Sequence, residues 1–159
     1  MTDGQPPAPL LPLRCEYPAR GIILERSADS TLYIFVVQDS KPETLDAWKN
    51  CTKTVLSKWP LARPCLFLHD LRRTSLSAFN ADMQGKFEEL YRFRPQLERL
   101  VAVVLPTYWG VDRIAQLDLR LRSLTAPYGY AIYWEVFTGR RDALRWLTQM
   151  YLNRFVAFV

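Results

Sequence analysis

Four times along this chain an apolar, β-branched run is followed by an amphipathic helical pattern. No other feature constrains the fold so strongly. The last pass is the clearest: Tyr130-Ala131-Ile132-Tyr133-Trp134-Glu135-Val136-Phe137, then Thr138-Gly139-Arg140-Arg141-Asp142-Ala143-Leu144-Arg145-Trp146-Leu147. Strand-like runs alternating with helix-like stripes require a sheet whose strands are joined by helical crossovers. No catalytic or metal-binding motif lies on this cadence, so it specifies an architecture and leaves the chemistry open.

Residues 1–19, rich in proline at the start, read as a flexible leader. Residues 21–25 and 31–37 read as an antiparallel strand pair, because the link between them is short turn chemistry. Ser40 then reads as the cap of a first helix, with Glu43 completing a capping box and Pro42 tolerated in the first turn. Leu45, Trp48, Thr52, Val55, Leu56 and Trp59 form its inward stripe, and Pro60 stops it. The run 64–70 is almost wholly apolar, which fits a strand covered on both faces. The helix after it starts near Thr74, Ser75 and Ser77 and turns Phe79, Met83, Phe87, Leu90 and Tyr91 inward. A central strand at 100–105 precedes a helix from Asp112, with Val111, Ile114, Leu117, Leu121 and Leu124 inward and Arg113, Arg120 and Arg122 outward. Residues 130–137 form the last strand, and Thr138 caps the final helix. The expected fold is α/β: a single five-stranded, mostly parallel sheet with an antiparallel edge strand and four helices. It occupies residues 20–153 and leaves an apolar tail, 154–159, to dock or add an edge strand.

At 159 residues one domain is expected, large enough to fold without a disulfide or metal. No apolar run approaches the ~20 residues of a membrane span, and the start lacks a basic segment and an apolar core, so a cytoplasmic protein is expected. Cys15, Cys51 and Cys65 lack metal-ligand spacing and read as reduced thiols. Cys65 and the single histidine, His69, share a strand face about 13 Å apart, too far for direct proton transfer. With no nucleophile–base pair, Gly-rich phosphate loop or metal set, a non-enzyme without cofactor is expected. The net charge of +5 lies wholly after Leu61 and is mostly arginine.

The element order, Val36-Val37…Trp48, Leu68-His69-Asp70-Leu71 and the segment 135–147 resemble the STAS/CRAL-TRIO-like group, the bacterial SpoIIAA-like domains, over roughly residues 20–148. The resemblance implies a non-enzymatic module that binds a partner protein or a nucleotide. In some members a serine at the start of the helix after the third strand is phosphorylated. Here that corner offers Asp70, Arg72, Arg73, Thr74, Ser75 and Ser77. Asp70 is followed by Leu71-Arg72-Arg73 rather than by the family's Asp-Ser pair and glycine. The resemblance to relatives that bind apolar lipids implies a second kind of site.

Three readings follow. The first is a STAS-like regulatory or protein-interaction module working through the corner after the third predicted strand, where a helix start beside Arg72 and Arg73 favours an anion or a phosphate. The second is a carrier of an apolar small molecule, with Tyr108, Trp109, Arg113 and Tyr133 as pocket residues. The third is nucleic-acid binding by the arginine-rich half, which scattered arginines support least. The 130–137 run and the 155–159 tail offer surfaces for a homodimer.

Overall fold

The computed structural model describes residues 13–75, 81–128 and 132–156. The chain forms β1 (Leu13–Ala19), β2 (Ile22–Ser27), β3 (Leu32–Val37), α1 (Pro42–Lys58), β4 (Cys65–Asp70), α2 (Ala81–Arg92), β5 (Arg99–Val104), α3 (Val111–Thr125), β6 (Ile132–Phe137) and α4 (Arg140–Tyr151). One mixed sheet of six strands holds them in chain order, β1 through β6. β2 runs antiparallel to both β1 and β3, and β3 to β6 run parallel. Every position of β4 and β5 is buried, as their unbroken hydrophobicity requires.

When parallel strands are added in one direction, right-handed crossovers put successive helices on the same face. Accordingly α1, α2 and α3 cover one face, over Phe35, Phe67, Val101 and Trp134. α4 follows the last strand and covers the other, packing Ala143 and Leu147 on Leu66, Leu68, Leu100 and Ala102. It lies across β5 and touches β4 and β6. Cys15, Ile23, Glu25 and Val36, on β1 to β3, line an open cleft on this second face.

The sheet has six strands rather than five because residues 13–19, expected in the flexible leader, form β1. This segment is weakly hydrophobic and contains Pro18, so its pairing comes from the turn that follows. Ala19 stands opposite Ile22, which leaves Arg20 and Gly21 as the turn. Gly21 has φ +82, and a Cβ there would lie 2.8 Å from both Cγ2 and Oγ1 of Thr44. Gly21→Ala is expected to cost about 1–2 kcal/mol, from positive-φ strain and the clash together. Urea denaturation checks this, and an unchanged midpoint would show that the turn relaxes freely.

Helix ends differ from expectation. Ser40 does not cap α1; the N-cap position is Lys41, without a side-chain bond. Asp39 takes over the terminus, accepting from the Lys41 amide at 3.0 Å. Bonds to Thr44 and Lys41 hold its carboxyl below the usual range. Thr138 likewise does not cap α4, whose N-cap position is Gly139. Val111, expected inward, is exposed at the first turn of α3. The tail neither frays nor adds a strand as far as it is described: Leu152–Val156 continue α4 as a π-helical turn, and Phe155 packs on the core.

Candidate functional site

β4 delivers Asp70 to the C-terminal edge of the sheet, where open α/β sheets bind ligands. Leu71 is buried and its amide donates to Val104 O at 2.8 Å, so the chain turns sharply over residues 71–74. Asp70 is itself buried. Its Oδ1 accepts from the Arg72 amide at 3.2 Å and from Nε at 2.9 Å, and its Oδ2 accepts from Nη2 at 2.7 Å. This planar two-pronged pairing fixes the guanidinium and raises its pKa further.

Two neighbouring loops pin the same turn. The Ser75 amide donates to Ser40 Oγ at 2.6 Å, which is where the serine expected to cap α1 is engaged. Tyr108 Oη donates to Thr74 O at 2.5 Å. The Thr74 hydroxyl is buried and donates to Leu71 O at 2.6 Å. The loops after β3, β4 and β5 are thereby tied into one corner. Ser77 lies outside the described residues.

Beside the corner, over the sheet face that α4 leaves open, is a cleft of about 500 Å³. Its lining includes Asp70, Arg72, Arg73, Cys15, Glu25 and Arg140. Arg140, in the first turn of α4, pairs with Glu25 at 2.7 Å. Arg73 is exposed and makes no ion pair among the described residues. Three guanidinium groups against two carboxylates leave the cleft net positive.

His69, next to Asp70, points the other way into the core. Its Nδ1 accepts from Trp48 Nε1 at 3.0 Å, and its ring stacks on Phe35. Burial pushes its pKa down to about 3. It is a neutral core acceptor, in keeping with a structural histidine. Burial drives the Cys65 thiol on the same face up to about 12, which leaves it protonated and unreactive. Among the described residues no cluster of His, Cys, Asp or Glu is placed to hold a metal ion. No described helix is long and apolar enough to cross a membrane.

The four expected pocket residues are not brought together. Trp109 is buried on the α1–α3 face, while Tyr108 and Arg113 are exposed. Tyr133 is on the opposite face, with the Arg154 guanidinium 3.8 Å from its ring centroid. A cleft that sequence reading missed lies between α1 and the β1–β3 edge. It measures about 630 Å³, with Leu24, Tyr33, Val55 and Trp59 in its lining together with Lys58, Arg63 and Arg26, the last paired with Glu16 of the same lining at 2.8 Å. Its walls come from distant segments, so no local motif announces it.

Much of the arginine excess is engaged within the fold. Arg94 donates to Leu56 O and Trp59 O, both at 2.6 Å, and closes the C-terminal end of α1. Arg99 serves α2 in the same way, and Arg122 pairs with Asp118 at 3.0 Å.

Fold and site together define an α/β protein with a six-stranded mixed sheet and a pinned, net-positive corner at the ends of its parallel strands. No protein-family model, curated protein or solved structure matches this chain.

Proposed function

We propose that this chain is a non-enzymatic, STAS-like regulatory or protein-interaction module of the cytoplasm, and that it engages an acidic partner protein through the corner of Asp70, Arg72, Arg73, Thr74 and Ser75. The observation that carries the reading is the bracing of this loop from three sides: Arg72 on Asp70, Ser75 on Ser40, and Tyr108 on Thr74. A loop held in advance loses little entropy on binding, which favours recognition by a preformed surface. Arg73, without an ion pair among the described residues, supplies an available cation on that surface, and Arg140 extends the positive rim. The element order from β2 to α4 supports the SpoIIAA-like kinship.

Affinity capture with quantitative mass spectrometry tests this reading. Arg73→Glu should lose a partner that the wild type retains, and recovery should fall as salt rises. Arg120→Glu, on the exposed side of α3, should retain it. Equal recovery by the two variants would refute the corner as the binding surface.

A second reading, the carrier of a small apolar molecule, is favoured by the cleft between α1 and the β1–β3 edge. Its size suits a small ligand, and its largely apolar lining, with Lys58 and Arg63 in excess of Glu16 and Arg26, which pair with each other, suits an amphipathic acid. Native mass spectrometry of the gently purified protein should then show a bound small molecule that Val55→Trp excludes. A bare mass in every preparation removes this reading.

A further inference from the structure

β1 is the terminal strand of the sheet: it pairs with β2 on one side and with no described strand on the other. An unpaired edge is a template for another strand. The geometry points to a second copy of this chain as its occupant, paired antiparallel about Cys15 so that two sheets join into one.

The charges define the register. Arg14 and Glu16 stand at equal distances on either side of Cys15. Antiparallel pairing about Cys15 sets 13 opposite 17, 14 opposite 16 and 15 opposite itself, a self-complementary two-fold contact. Sliding by two residues in either direction sets Arg14 opposite Arg14 or Glu16 opposite Glu16, like charges that oppose pairing.

Both faces of that pairing are chemically matched. Within the chain Arg14 stands directly opposite Arg26, an unfavourable juxtaposition, while Glu16 is drawn to Arg26 at 2.8 Å. In the paired edge each Arg14 gains Glu16 of the second copy. On the other face Cys15 and Tyr17 are exposed and Leu13 is half-buried. Leu13 would lie against Tyr17 of the second copy, with the two Cys15 side chains at the centre. Cys15 also lines the positive cleft beside the corner, but the pairing does not involve Arg73, and sedimentation of the protein alone is read apart from partner capture.

Sedimentation velocity on the full chain under reducing conditions tests the inference. A concentration-dependent dimer is expected. Arg14→Glu should weaken it at least about tenfold by setting Glu opposite Glu across the axis, and it should fold normally because the introduced carboxylate would then face Arg26. The charge-swapped Arg14→Glu/Glu16→Arg should restore association. Mild oxidation of the wild type should trap a dimer cross-linked Cys15 to Cys15, read by peptide mass. That readout stands even if a charge variant fails to fold. A monomer at all concentrations, a dimer indifferent to Arg14→Glu, or a swap that does not restore it would each overturn the pairing.

Discussion

Replacing Arg99 by methionine is expected to cost about 3–5 kcal/mol. Arg99 opens β5, and its side chain is buried beneath the end of α2. Its guanidinium donates to Leu90 O and Arg94 O, each at 2.7 Å, and to Phe93 O. Leu90 is in the last turn of α2, where carbonyls have no partner within the helix, and a cation there also meets the negative end of the helix dipole. Methionine fills much of the volume but leaves those buried acceptors unmet, so most of the cost is desolvation without a new bond. The damage extends to α1. Arg94 accepts from Arg99 and at the same time donates to Leu56 O and Trp59 O, and it holds a φ of 52 to do so. Arg99→Lys, able to reach fewer of the carbonyls, should fall between wild type and Arg99→Met. Urea unfolding measures the series. A loss under about 1 kcal/mol for Arg99→Met would mean that these carbonyls find water without it.

Acid is expected to weaken the fold through one imidazole. His69 is protonated with difficulty in the folded state, at a pKa of about 3, against an ordinary 6.5. Between those values the unfolded chain binds the proton and the folded chain does not, so stability is full above pH 6.5 and falls as pH drops below it. The slope approaches about 1.4 kcal/mol per pH unit, or about 2 kcal/mol between pH 7 and pH 5. Asp39 and Glu89, whose carboxyls are held low, add their own loss only below the ordinary carboxylate range. The interval above pH 5 therefore reports mainly on His69. Trp48→Phe/His69→Leu removes donor and acceptor together and leaves no unmet polar atom. Its absolute stability will shift with the altered packing, but its stability between pH 7 and pH 5 should be nearly flat. An acid slope equal to that of the wild type would show that another group titrates there.

The parallel part of the sheet was legible in the residues themselves. The unbroken apolar runs at β4 and β5 announced strands buried on both sides, and the stripe from Leu45 to Trp59 announced α1. β1 was not legible, since Arg14, Glu16 and Pro18 disguise a segment whose pairing comes from β2 across the Gly21 turn. Ser40 carries every local mark of a helix cap, yet its oxygen accepts from an amide on another loop. Of the site residues, Asp70 and Arg72 could be picked out from their place at a strand end. The bracing by Ser40 and Tyr108 and the cleft beside Trp59 join positions far apart in the chain, and no spacing rule reaches them.

What the sequence alone determined is the order and type of most elements, because burial periodicity and β-branching are properties of short stretches. The tertiary structure alone decided which oxygen caps which helix, that Arg94 and Arg99 close helix ends instead of facing solvent, and where the open clefts lie. Those outcomes depend on which groups meet across the folded chain. A polar atom bonds to whichever partner packing leaves within reach, and that partner is set by the whole arrangement rather than by its neighbours in sequence.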